Sequence, residues 1–207
     1  MKDWKKLTSN QRIERVQHAL NENVDFLHDI SLGYPASKLD GKVFYDAPFL
    51  KDAPVLMTYV ANPNHIGCHT TGTSETAFKG TQEIEREVLE IVAVDIFKSA
   101  KKQYDGYIAT GGTEANIQAL WIYRNFFQNT QQAKLAEIMI VASEDTHYSI
   151  AKGANLLSLD LMKVRVDFET RRILHNEFEA LLCEAITDGK KYFIIVANMG
   201  TTMFGSV

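Results

Sequence analysis

The chain has 207 residues, 45% hydrophobic and 23% charged, and a net charge of −4. These values suit a soluble globular protein and exclude a broad nucleic-acid-binding surface. No apolar run approaches the ~20 residues of a membrane-spanning helix.

The polar start Met1-Lys2-Asp3-Trp4-Lys5-Lys6 lacks the apolar core of a signal peptide. Cys68 and Cys183 are therefore expected to be free thiols in a cytoplasmic protein. The first predicted element is a helix from Ser9 to about Ile30, with Ile13, Val16, Leu20, Val24 and Leu27 on one narrow stripe. That stripe can pack on its own domain or on a second subunit. Leu32 to Phe49 is irregular, broken by Gly33, Pro35, Gly41 and Pro48. Ala53 to Gly80 is also loop-rich. It contains His65, Cys68 and His69, which are metal-ligand types at close spacing, but no fourth ligand or second paired motif accompanies them, so no metal site is expected.

From Thr81 a long helix is predicted through Ile84, Val88, Ile91, Val92 and Ile96. The chain then alternates. Tyr107 to Thr110 reads as a short strand, Glu114 to about Gln128 as a helix, and Ile138 to Ala142 as a buried strand. His147 to Leu157 follows as a helix, Lys163 to Val166 as a strand, Glu177 to Thr187 as a helix and Tyr192 to Ala197 as a strand. Short apolar strands separated by amphipathic helices imply an α/β fold, a mostly parallel sheet covered by helices.

Three phrases carry the chemistry. Thr110-Gly111-Gly112-Thr113 lies between a predicted strand and a helix. Unpaired N–H groups of a helix's first turn attract an anion, and glycines let a phosphate approach the backbone. A plain glycine turn capped by Thr113 is the other reading. His147 follows a strand at its C-terminal end, where open α/β sheets bind ligands. Its imidazole could stack on an aromatic ring or move a proton, or it could simply bond Glu144 or Asp145 at a helix start. Gly200-Thr201-Thr202 follows the last strand and would direct hydroxyls over the same edge, unless it is only a turn.

The run Tyr107–Asn116 resembles the phosphate-binding segment of the group II pyridoxal-phosphate amino-acid decarboxylases. Ser143 through His147-Tyr148-Ser149 to Leu157 is similar to the family's next motif, and Ala197-Asn198-Met199-Gly200-Thr201-Thr202 to its third. Glu83–Val88 resembles the helix before the cradle, and Leu32-Gly33-Tyr34-Pro35 the N-terminal stretch of bacterial histidine decarboxylases. The resemblance implies the N-terminal part of a fold-type-I enzyme. Residues 1–50 would form an N-terminal helix and extended segment, and 51–207 part of the large cofactor-binding domain.

It further implies that Gly112 and Thr113 bind the phosphate of pyridoxal 5'-phosphate. His147 would stack on the ring, and Thr201 and Thr202 would offer a hydroxyl near the ring oxygen or the substrate carboxylate. Lys152 follows His-Tyr-Ser, but in the family's pattern it is not the lysine that anchors the cofactor. That lysine, and the aspartate that pairs with the ring nitrogen, would come after Val207. The expected activity is decarboxylation of an amino acid to its amine plus carbon dioxide, with a second copy of the chain or the C-terminal part of the same enzyme as partner. The Asn62–Thr76 loop would contact substrate. The alternatives are a truncated partner that binds a phosphate ligand without catalysis, and a related carbon–carbon lyase.

Overall fold

A computed structural model describes residues 5–23 and 79–207. The chain divides into two compact units, residues 1–108 and 109–207. Residues 53–78 of the stretch read as loop-rich, the His65, Cys68 and His69 group, and the domain boundary placed after residue 50 lie outside the described residues, whereas Lys79 and Gly80 at the end of that stretch already belong to a helix.

In the first unit, helix α1 spans Ser9–Asn21. Thr8 and Gln11 open it with a reciprocal capping pair. The Gln11 N–H donates to Thr8 Oγ1 at 3.3 Å, and the Thr8 N–H donates to Gln11 Oε1 at 2.9 Å. Helix α2 spans Lys79–Glu90. Its first turn is capped from a distance, because Asn23 Oδ1 accepts from the Gly80 and Thr81 N–H groups at 2.9 and 3.3 Å. The two helices meet where Gly80 lies against the Ala19 carbonyl, too close for any Cβ. Arg15–Glu87 and Lys79–Glu22 ion pairs border that contact. The helix expected to run on through Ile96 changes pitch, and Ile91–Ile96 forms a π-helical turn.

In the second unit, α3 spans Gly112–Gln131. Strand β1 is Ile138–Ser143, helix α4 Tyr148–Leu157, strand β2 Asp160–Val164, helix α5 His175–Thr187 and strand β3 Tyr192–Ile195. The strands form a parallel sheet in the order β2-β1-β3, with Ile140 opposite both Leu161 and Ile194. Even-numbered β1 residues Ile138, Ile140 and Ala142 face α3 and α4. There they bury against Leu120, Ile150, Ala154 and Leu157. The opposite face carries Val141, Val164 and Ile195, which share a cavity with Phe178 of α5.

Two strand predictions need correction. Tyr107–Thr110 forms no strand. A strand needs a backbone partner, and here the donors are taken by side chains: the Ile108 N–H bonds Glu85 and the Thr110 N–H bonds Glu114. The strand read at Lys163–Val166 begins three residues earlier, at Asp160. Val166 leaves the sheet for an antiparallel bridge with Ile173.

The α3–α4 contact depends on a missing side chain. A Cβ built on Gly153 would lie 2.7 Å from Leu120 Cδ1 and 3.4 Å from Ile117 Cγ1. Leu120 is itself buried and has nowhere to retreat. Gly153→Val should therefore destabilise the protein by about 2 kcal/mol, read as a lowered urea midpoint with an unchanged slope.

Candidate functional site

Because β1 and β3 are parallel, the loops after them, from Glu144 and from Val196, leave the same edge of the sheet. The start of α3 reaches that edge too, since Asn116 bonds Ser149 in the first turn of α4.

The cradle is an uncapped helix start. The first backbone bond inside α3 runs from the Ala115 N–H to the Gly111 carbonyl at 3.1 Å, leaving the Gly112 and Thr113 N–H groups without a helical acceptor. Gly111 is extended (φ 179°) and supplies no side-chain cap. A Cβ built on Gly111 or Gly112 would meet no protein atom within 4 Å. The glycines therefore leave open space rather than relieve a clash inside the protein. That space belongs to a cavity of about 480 Å³ lined by Thr110–Glu114, Ile117, Gln118 and Lys152. An unpaired helix terminus, open glycines and one lysine together suit a phosphate. The Glu114 carboxylate is turned back onto Thr110, accepting from its N–H at 2.8 Å and its hydroxyl at 2.6 Å.

His147 is the N-cap of α4, and its side chain accepts from the Ser149 N–H. Its Nδ1 also lies 2.9 Å from Ser149 Oγ. The ring is exposed and sits 4.3 Å from the Tyr148 ring, centroid to centroid. The alternative of a histidine bonded to a neighbouring carboxylate does not hold. Glu144 accepts from the Val166 N–H at 2.9 Å, and Asp145 pairs with Arg171.

Asn198 ties the two edge loops together, its Nδ2 donating to Ser143 Oγ at 3.1 Å and Thr146 Oγ1 at 2.9 Å. Thr201 is buried, with its hydroxyl 2.8 Å from Ser206 Oγ, and it borders the cavity of about 390 Å³ beside α5. Thr202 is exposed. Thr201 thus borders the second cavity, whereas Gly112 and Thr113 line the first. Among the described residues no group of His, Cys, Asp and Glu is placed to hold a metal. No helix of the described residues is long and apolar enough to cross a membrane.

Reading the sequence missed three contributors. Lys152 lines the cradle. Asn116 reaches the histidine through Ser149. Arg171 makes two bonds to Asp145, Nε to Oδ2 at 2.9 Å and Nη2 to Oδ1 at 2.5 Å, with Phe204 stacked 3.9 Å from its guanidinium carbon. The Asn116 and Lys152 signals lay within the quoted motifs, but nothing in the spacing of Arg171 pointed to Asp145. Arg171 has φ 56°, where glycine is the undemanding residue. Arg171→Gly should keep the turn and release the loop. Amide exchange at Glu144 and Thr146, both hydrogen-bonded here, should then accelerate roughly tenfold.

The same turn has an acid limit. The Thr170 N–H and then its hydroxyl hold the Asp167 carboxyl below the ordinary 3.8. A depressed folded-state value stabilises the protein above pH 3.8, and that stabilisation is lost as pH falls through the folded value. Asp167→Asn should lower the melting temperature at pH 6 and flatten its decline below about pH 4.

A parallel sheet with an open, uncapped helix start and a histidine at one edge is an α/β arrangement with room for a ligand beyond the strand ends. Residues 64–207 match the pyridoxal-dependent decarboxylase conserved domain. The chain belongs to that family. It is 47% identical to the tryptophan decarboxylase of Clostridium sporogenes over 208 residues, all of this chain and 50% of that protein. It is 33% identical to the histidine decarboxylase of Klebsiella aerogenes over 125 residues, 60% of this chain and 30% of that one. Among solved structures it resembles the glutamate decarboxylase domain of a Vibrio parahaemolyticus diaminobutyrate-pyruvate transaminase and L-2,4-diaminobutyrate decarboxylase. There the TM-score is 0.58 at 18% identity, over 99% of this chain and 54% of that one. It also resembles Oryza sativa TDC with PLP and tryptamine, with TM-score 0.55 at 16% identity, over 99% and 54%. These two likenesses show the fold. The chain spans about half the length of the Clostridium sporogenes relative, and 30% and 44% of the Klebsiella aerogenes and Solanum lycopersicum histidine decarboxylases.

Proposed function

We propose that this chain is the N-terminal portion of an enzyme that decarboxylates an amino acid with pyridoxal 5'-phosphate. The observation that carries the reading is the uncapped start of α3, opening with Gly111 and Gly112 into a cavity bordered by Lys152. The Gly112 and Thr113 N–H groups bind the phosphate, and the Lys152 ammonium adds a counter-charge. Pyridoxal phosphate, when bound, supplies an electron-accepting ring for the charge left on the α-carbon as carbon dioxide departs. His147 covers one face of that ring and excludes water from it. Thr201 and Thr202 serve the ring oxygen or the substrate carboxylate. The exposed Thr202 is free to do so as it stands, whereas Thr201 must first release Ser206.

Residues 51–207 form part of the large cofactor-binding domain, and the polypeptide acts as a cytoplasmic homodimer. Exposed Ile122, Tyr123 and Phe126 on α3 support a covering partner, either a second copy or the remaining half of the enzyme. The likeness to a tryptophan decarboxylase makes L-tryptophan the first substrate to try. The test is amine and carbon dioxide release by the full-length protein loaded with pyridoxal phosphate, across a panel of amino acids. Stoichiometric release from one of them is the expected result. Tight cofactor binding with no release from any would contradict the catalytic reading.

A further inference from the structure

The histidine is held more tightly than a stacking role requires. His147 Nδ1 receives two contacts from Ser149, the backbone N–H at 3.3 Å and Oγ at 2.9 Å. A backbone N–H can only donate, so Nδ1 must present its lone pair. The hydroxyl is directed as well. Asn116 Nδ2 donates to Ser149 Oγ at 2.8 Å, leaving the hydroxyl proton to point at the histidine. Ser149 is fully buried and no water competes for its proton. The charged groups near the loop are engaged elsewhere: Glu144 with the Val166 N–H, Asp145 with Arg171, and Lys152 over the Tyr148 ring at 5.7 Å. Neither carboxylate is hydrogen-bonded to the ring.

We propose that the pair Asn116–Ser149 positions His147 as the neutral tautomer that carries its proton on Nε2. Any proton His147 gives or takes then passes through Nε2, the nitrogen turned away from the α4 backbone. The ring also covers the cofactor without adding a full positive charge to it. That functional consequence rests on the cofactor reading above, but the tautomer is a property of the unloaded chain. Asn116 and Ser149 are positioning residues that act through His147.

The test is nitrogen-15 NMR of the imidazoles in the full-length protein at pH 7, without cofactor. The His147 signal is assigned among the six histidines of this chain, and any that follow, by its loss in His147→Gln. The expected spectrum shows an unprotonated Nδ1 and a protonated Nε2. Asn116→Ala should free the hydroxyl to turn, and Ser149→Ala should remove it, so each variant acquires a measurable Nδ1-protonated fraction. A protonated Nδ1 in the unaltered protein overturns the proposal. So does an unchanged tautomer in both variants, because the backbone donor alone would then suffice. If the tautomer is as expected but pyridoxal phosphate does not bind, the cofactor reading fails and the positioning role stands.

Discussion

Gly112→Val should abolish useful cofactor binding while leaving the fold intact. A Cβ at this position meets no protein atom within 4 Å, and Gly112 is not among the residues with positive φ, so valine should be accepted by the backbone. It also replaces a poor helix former at the start of α3. Its methyl groups would instead occupy the space before the Gly112 and Thr113 N–H groups. Losing two charge-assisted hydrogen bonds costs about 3 kcal/mol or more, roughly a 10²-fold weaker affinity. The check is a pyridoxal phosphate titration followed by absorbance, beside a thermal melt. Unaltered affinity would remove the phosphate from this helix. Lost affinity with a collapsed melting temperature would mean that the glycine is structural.

The largest expected loss of stability is at Ile140. It lies in the central strand, is fully buried, and faces both helices of the main core. Ile140→Ala removes three carbons where β2 and β3 on either side leave little room to collapse. The cost should be about 3–4 kcal/mol, a large share of the about 5–15 kcal/mol that holds a typical domain together. Ile140→Val, which removes one methyl group, should cost about 1 kcal/mol. Urea unfolding of both variants reads the difference. A near-equal loss would mean that the cavity refills and that the core is looser than this packing implies.

The core strands were legible because continuous apolar runs such as Ile138–Ala142 and Tyr192–Ala197 have few other uses than burial on both faces, although the second leaves the sheet after Ile195. Helix α5 was legible from its period, starting two residues earlier than expected, at His175. The end of β2 was not, because Val164 and Val166 alternate as a strand does. Only the bridge to Ile173 shows that Val166 belongs to a different pairing. The false strand at Tyr107–Thr110 failed for a related reason: composition marks a segment able to pair, not the presence of a partner. At the site, the glycines and His147 stood out because their chemistry is local in sequence. The contacts that orient them are not. Asn116 to Ser149 spans 33 positions and Asp145 to Arg171 spans 26. No period or motif length reports a bond of that range.

The most direct test is a crystal structure of the full-length protein with pyridoxal phosphate bound. The phosphate should lie within hydrogen-bond distance of the Gly112 and Thr113 N–H groups, with Lys152 alongside and the pyridine ring beneath His147. A cofactor seated in the other cavity, between Asn198, Arg171 and Phe178, would contradict the account. So would a phosphate held away from the start of α3.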